Sequence, residues 1–354
     1  MFVGGEFYDD PGWLVDTPTN LTHGMTFLNG GKGCLMVISR ALHNLGIHKI
    51  LLPAYLCPTI LNTLEHCGLT CEYYQINPDF SIDLNDLSHK LGDHQAVYFI
   101  NYFGFLQPAP AREYLIALRQ QGILLVEDNA QAGFVRQSTG DFVFNSIRKL
   151  AAYDGGYLLA LMDVQPMIAS FQGVTNHRLP LIRAYRQRLA DYLLHDSDSY
   201  EELAALYEQA EAAYDADWVV EGDAKEQWGI VHLDWQRILQ TRRDNYLYLS
   251  GLLAKVPHLT PVFSTLQADN MPLGFPVYVQ DIDRDGLFDA LGEAGIGTTI
   301  HWDAILSDLR LNGNQAAVDT ASRILTLPID QRTSHDQLDY MVETIAHFIQ
   351  SKVS

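Results

Sequence analysis

The sequence predicts an α/β protein: a mainly parallel sheet with helices on both faces, joined to a smaller α+β domain at the C-terminal end. Three observations predict it. Short apolar runs alternate with amphipathic helical stretches from about residue 30 to residue 126, the pattern of βαβ units. From Pro272 onward the order becomes strand, helix, strand, strand and a long final helix. The chain's 354 residues, 47% hydrophobic with a mean hydropathy of −0.04, are enough for one large core and a second, smaller one. The large domain is expected over 1–255 and the small domain over 256–354.

Each element has a local reason. Residues 1–30 carry scattered Gly, Pro and aromatics and read as irregular. The turn Asn29-Gly30-Gly31-Lys32-Gly33 opens a helix whose apolar face is Leu35, Ile38, Leu42 and Leu45, and Gly46 ends it. Ile50-Leu51-Leu52 is a short buried strand closed by Pro53, and Ile60, Leu61 and Leu64 mark the next helix. Strands follow at 71–74 and 96–100, then a helix around 111–121 and the strand 123–126. Two more strands are read at 142–144 and 157–162, antiparallel in part. Residues 179–217 turn helical and acidic, with Glu201, Glu202, Glu208 and Glu211 as a solvated face. A single long helix is expected over 225–253. The small domain then gives a strand at 273–280, a helix at 284–294 stopped by Gly295, and strands at 298–302 and 324–327. In the last helix Ser334 and Gln337 form a capping box, and Leu338, Met341, Val342 and Ile345 face inward.

Composition narrows the function classes. The formal charge is −20, which repels nucleic-acid phosphates and anionic membrane surfaces, so neither is expected as a partner. Four cysteines, at 34, 57, 67 and 71, read as reduced thiols, which together with an N-terminus lacking a basic region before an apolar stretch points to the cytoplasm. Cys67 and Cys71 with His66 fit no standard zinc spacing, and no metal site is expected. H-E-x-x-H and G-x-S-x-G are both absent.

The chemistry-bearing residues lie where strands end. Ligands on such sheets bind beyond the carboxyl ends of the strands, where the Gly-rich turn, Asn101-Tyr102 and Asp128 fall. Asp128 closes an apolar run inside Glu127-Asp128-Asn129-Ala130-Gln131, and Lys149 stands downstream of it, just before Gly155-Gly156. An acid at a strand end can keep a pyridine nitrogen protonated, and a desolvated lysine can form an imine with an aldehyde. An aspartate after a strand also serves as a helix N-cap. A lysine among apolar neighbours also snorkels to the surface. Arg148 could lower the pKa of Lys149 or meet a phosphate. The N–H groups at the start of the helix after Gly30 can cradle a phosphate, although the turn is not a Walker A loop, since Gly33 follows the lysine. His301-Trp302 is either an ordinary strand-end pair or a pocket wall.

Taken together, these segments resemble the DegT/DnrJ family of sugar aminotransferases, within fold type I of the pyridoxal phosphate enzymes. The resemblance runs through Gly30-Gly31-Lys32 and the helix after it, Pro53-Ala54-Tyr55-Leu56-Cys57, the segment Glu127–Ala132, Gly140-Asp141, Lys149 with Asp154-Gly155-Gly156, and Leu327-Pro328. It implies pyridoxal 5'-phosphate as cofactor and Lys149 as its Schiff-base lysine and proton carrier. Asp128 would meet the ring nitrogen, and Gln131 the ring face or phenolic oxygen. The N–H groups of Gly31 and Lys32, with Ser146, would hold the phosphate. Cys57 stands where the family has its ring-stacking aromatic, with Tyr55 or Tyr102 as substitutes, which marks a divergent branch. Tyr102 and His301 are the candidates for substrate contact. The implied reaction moves an amino group from an amino acid, glutamate by resemblance, to a keto-sugar or related keto acceptor, in a homodimer. The alternatives are another reaction of the same cofactor (lyase, dehydratase or decarboxylase) or a sensor that keeps the cofactor contacts without turnover.

Overall fold

The computed structural model describes residues 2–195 and 199–353. Twelve strands occur among them: β1 (Val3–Gly4), β2 (Thr26–Leu28), β3 (Lys49–Pro53), β4 (Thr70–Tyr74), β5 (Ala96–Ile100), β6 (Leu124–Asp128), β7 (Phe142–Phe144), β8 (Gly156–Ala160), β9 (Leu259–Pro261), β10 (Phe275–Val279), β11 (Ile296–Gly297) and β12 (Ile324–Leu327). The main sheet has seven strands in the order β2-β8-β7-β6-β5-β3-β4. Strands β4, β3, β5, β6 and β7 run parallel, and β8 is antiparallel to both β7 and β2. The central strands are apolar on both faces because helices cover both, and every residue of β5 is buried.

Helix Gly30–Asn44 lies against one face, burying Leu35, Ile38, Ala41 and Leu42. It ends where Gly46 takes φ +78°, a left-handed value that a side chain would oppose. On the other face, helix Ala109–Gln120 packs Leu115 and Leu118 with Val97, Phe99 and Leu125. The second sheet, β12-β10-β9, is antiparallel and packs against helices Arg284–Glu293 and His335–Val353. The capping box before the last helix is formed in both directions: Ser334 N–H donates to Gln337 Oε1 at 2.8 Å and Gln337 N–H to Ser334 Oγ at 3.3 Å. A third, two-stranded parallel sheet joins β1 to β11, so the first residues lie beside residue 296.

Three expectations are corrected. The helix over 225–253 is two helices, Ala224–Val231 and Trp235–Leu253. The break at 232–234 arises because the N-terminal segment recruits it: Leu233 bridges to Leu14, Asp234 N–H donates to the Trp13 carbonyl, and Asp234 Oδ1 then caps the second helix through Arg237 N–H. Residues 298–302 are not a strand. Thr299 exchanges both backbone hydrogen bonds with Thr326, and the chain then turns into the 3-10 helix Asp303–Leu306. The first thirty residues are not all irregular, since β2 forms the edge of the main sheet. No described helix is long and apolar enough to cross a membrane.

Candidate active site

The site begins at the carboxyl ends of β5, β6 and β7. Alternation along β6 sends Glu127 and Asp128 to opposite faces. Glu127 is spent on structure: its Oε2 accepts from the N–H groups of Thr139 and Gly140, and its Oε1 from the amides of Asn101 and Asn129. Asp128 faces the helix Gly30–Asn44 side. Its Oδ2 accepts the Tyr98 hydroxyl at 2.5 Å and its Oδ1 the Ala130 N–H at 2.7 Å. Burial pushes this carboxyl above its ordinary value, while those two hydrogen bonds and the nearby Lys149 pull the other way. Asp128 does not cap a helix; its N–H partner belongs to the turn that carries Gln131.

Gln131 is held from behind. Its Oε1 accepts Phe103 N–H at 2.7 Å, and its Nε2 is buried with no hydrogen-bond partner among the described residues. Gly31 and Lys32 lie in the first turn of helix Gly30–Asn44, where N–H groups have no intrahelical acceptor. Asn29, at the cap position, makes no side-chain cap, because its carboxamide is engaged with Val219 and Asn176. A Cβ on Gly31 would stand 3.4 Å from the Phe144 ring and 3.6 Å from Ser146 Cβ, which places Ser146 against this helix start. The Lys32 ammonium itself is used elsewhere: it donates to the carbonyls of Tyr214 and Asp215 at 2.7 and 3.0 Å, at the C-terminal end of helix Tyr200–Ala216.

Lys149 ends the turn Ile147–Lys149. The Leu150 carbonyl just after it accepts from Gln331 Nε2 at 2.8 Å and from Arg242 Nη2 at 3.4 Å. Burial lowers the pKa of Lys149 and Arg148 lowers it further, against the opposing influence of Cys57 and Asp128. The amine is therefore biased toward the neutral, nucleophilic form. It stands 5.9 Å from the centre of the Trp302 ring.

Gly31, Lys32, Cys57, Asp128, Gln131, Ser146 and Lys149 all line one cavity, together with Arg148, Tyr214 and Trp302. Lys149 and Arg148 also line a neighbouring cleft of about 400 Å³, whose walls include Glu6, Phe7, Arg242, Thr298, His301 and Asp330. His301 therefore lies on the cleft side. Its Nδ1 pairs with Thr326 Oγ1 at 3.0 Å, and burial beside Lys149 lowers its pKa to about 3, so the ring is neutral. Tyr102 lines neither space. Its hydroxyl donates to the Tyr55 carbonyl, its ring packs on Phe80 and Tyr55, and it is 1% exposed. The turn Tyr102–Gly104 folds it into the core, so neither it nor the equally buried Tyr55 fills the place of the absent aromatic beside Cys57. Trp302 is the large ring on the cavity wall. Tyr214, Arg242 and the Glu6-Phe7 segment were not readable as site residues, because distant parts of the chain bring them there. The sequence signal available for Arg242 is its place on the stripe of Trp235, Ile238, Tyr246 and Leu249, where a charge stands among apolar positions.

The residues fit pyridoxal phosphate. A buried acid, an unpartnered amide donor, a desolvated amine and a helix start with free N–H groups complement a ring nitrogen, a ring oxygen, an aldehyde and a phosphate respectively.

Residues 229–346 match the model of the DegT/DnrJ/EryC1/StrS aminotransferase family. The sequence resembles that family over this segment. The solved structures it resembles extend the fold to the rest. Spr1654 from Streptococcus pneumoniae, in its PMP form, superposes with a TM-score of 0.69 at 18% identity, covering 98% of this chain and 94% of that one. The sugar aminotransferase CalS13 from Micromonospora echinospora gives 0.65 at 18% identity, covering 91% and 87%. The E. coli GDP-4-keto-6-deoxy-D-mannose-3-dehydratase with bound hydrated PLP gives 0.64 at 16%, covering 91% and 87%. No curated protein sequence matches the chain. The N-terminal motifs and the match over 229–346 resemble the same family, and the fold is that of type I pyridoxal phosphate enzymes.

Proposed function

We propose that this protein is a pyridoxal phosphate-dependent aminotransferase that moves an amino group from an amino acid, glutamate by resemblance, to a keto-sugar or related keto acceptor. One observation carries the reading: the Lys149 amine stands between a cavity holding Asp128 and Gln131 and an open cleft wide enough for a substrate. The cofactor, when bound, supplies an electron sink for a carbanion at the substrate carbon. The chain's residues supply the rest. Asp128 holds a proton at the ring nitrogen, with Tyr98 fixing the carboxylate. Gln131 Nε2 donates to the ring oxygen. The N–H groups of Gly31 and Lys32, with Ser146, hold the phosphate, and Trp302 walls the ring in where Cys57 cannot stack. Lys149 Nζ would anchor the cofactor through its aldehyde and, as a buried amine of lowered pKa, would serve as the base and acid that moves a proton at the substrate carbon. His301, neutral and held by Thr326, contacts substrate from the cleft. The reading includes a cytoplasmic homodimer, and the presence of Lys149 separates it from sugar dehydratases that replace this lysine.

The test is the visible spectrum of the purified protein incubated with pyridoxal phosphate, wild type beside Lys149→Ala. A yellow band that borohydride fixes to the Lys149 peptide in wild type alone, and that glutamate bleaches stoichiometrically, supports the assignment. A protein that stays colourless in both forms refutes it. A band indifferent to every amino donor leaves the cofactor and removes the transfer reaction.

A further inference from the structure

We propose that Arg148 is the specificity residue that grips the carboxylate of the amino donor. The proposal rests on the reading of Lys149 above. Three cations line the cleft: Arg148, Lys149 and Arg242. Lys149 is the amine that anchors the cofactor. Arg242 is sealed, with no exposed surface. Its Nε donates to Gln331 Oε1 at 2.8 Å, its Nη1 to the carbonyls of Pro272 and Leu273, and its Nη2 to that of Leu150.

Arg148 is different. Only its Nη1 is bonded, to Glu211 Oε1 and Oε2 at 3.3 and 3.5 Å. Glu211 is claimed first by Arg178, whose Nη1 reaches Oε1 at 2.5 Å. Among the described residues the Nε and Nη2 atoms of Arg148 have no partner. That edge is the one that takes a carboxylate through two parallel hydrogen bonds. The guanidinium sits 4.3 Å from the centre of the Tyr214 ring, which holds its plane. Arg148 and Lys149 line both the cavity and the cleft, so a carboxylate at one and a reacting carbon at the other fit a single small molecule. Glu6 lines the same cleft, with Oε1 accepting the Tyr207 hydroxyl at 2.9 Å. Its charge favours a ligand that pairs its carboxylate with an ammonium over a polyanion.

The probe is glutarate, with the neutral diamide glutaramide as control, titrated into the protein with and without pyridoxal phosphate. Tryptophan fluorescence reports binding, since Trp302 lines the cavity, and calorimetry gives the affinity. Wild type is expected to bind glutarate and not glutaramide. Arg148→Gln is expected to weaken glutarate at least tenfold, and Arg148→Lys by less, because it keeps the charge without the fork. Wild-type melting of the variants by circular dichroism checks that they fold. Glutarate binding that survives in Arg148→Gln overturns the proposal, as does failure of wild type to bind glutarate. So does an Arg148→Gln protein that loses affinity for pyridoxal phosphate but not for pyridoxal and still takes up glutarate, because Arg148 would then serve the phosphate. If the chain forms no Schiff base yet binds glutarate through Arg148 without cofactor, the aminotransferase reading falls and the carboxylate site stands.

Discussion

Gln131 Oε1 accepts the backbone N–H of Phe103 at 2.7 Å, and this fixes the amide so that Nε2 is the atom left over the cavity. A backbone N–H can only donate, so the oxygen must face it.

That arrangement separates two roles of one side chain. Gln131→Leu removes the acceptor and leaves Phe103 N–H buried and unpaired, at a cost of about 1–3 kcal/mol in stability. Gln131→Glu keeps an acceptor for Phe103 but replaces the amide donor into the cavity with a carboxyl group on the same wall as Asp128. Phe103 N–H stays paired in this variant, and its affinity for pyridoxal phosphate should fall by about tenfold or more, ~1.4 kcal/mol at the tenfold mark. Urea melts and a cofactor titration measure both quantities.

Lys149 is held with its pKa lowered, by burial first. The unfolded chain therefore binds more protons than the folded one between the two pKa values, and stability from this group rises with pH through that window. Below it, the buried amine works against folding. Lys149→Met should raise the melting temperature of cofactor-free protein at neutral pH and flatten its rise toward alkaline pH, while abolishing the borohydride-trapped adduct. A lower melting temperature in the variant would contradict the burial argument.

Tyr98 donates to Asp128 at 2.5 Å and counters the upward push of burial on that carboxyl. Tyr98→Phe removes the donor, so the carboxyl moves further toward its neutral form. The acid limb of the activity profile should shift to higher pH, and stability should fall by about 1.5–3 kcal/mol, the range for a hydrogen bond to a charged group. A pH–rate profile with an unmoved acid limb would contradict this role for Tyr98.

Asp154 sits between Arg178 and Arg186 at 2.6 and 2.7 Å. Burial raises its pKa, but the two guanidinium groups prevail and hold it at about 2. The folded value lies below the unfolded one, so its contribution is fully present above about pH 5 and is lost as pH falls through 4 toward 2. It amounts to roughly 2 kcal/mol. Asp154→Asn should cost about 3–5 kcal/mol at neutral pH, because it leaves two buried cations short of a partner. It should also remove much of the acid sensitivity between pH 5 and 2, as equilibrium melts across that range would show.

How much was legible follows from where each residue sits in the chain. Asp128 and Gln131 could be read because an apolar run ends in an acid, and β6 does end there. Lys149 could be read because it stands among apolar neighbours just ahead of two glycines. The strands 96–100, 142–144 and 324–327 match to the residue, since burial on both faces makes them apolar runs, broken only by Thr326. The pair His301-Trp302 reads as either a strand end or a pocket wall, and only the fold shows that His301 lines the cleft and Trp302 the cavity. Tyr102 was misplaced because a strand-end position does not reveal which way the following turn sends its side chain. The break at 232–234 escaped because its cause is a contact with Trp13 and Leu14.

The pairing of Val3 and Gly4 with Ile296 and Gly297 has a consequence during synthesis. The seven-stranded sheet uses only residues 26–160 and can assemble while the ribosome is still working. The cleft beside Lys149, walled by Gly5, Glu6 and Phe7 on one side and by residues 297–330 on the other, cannot. Its first wall waits, unpaired, until Ile296 emerges, a long-range closure that is intrinsically slow. A nascent chain would thus own its cofactor floor well before it owns a place for substrate, and a nonsense mutation ahead of Ile296 would leave a chain with that floor and no cleft.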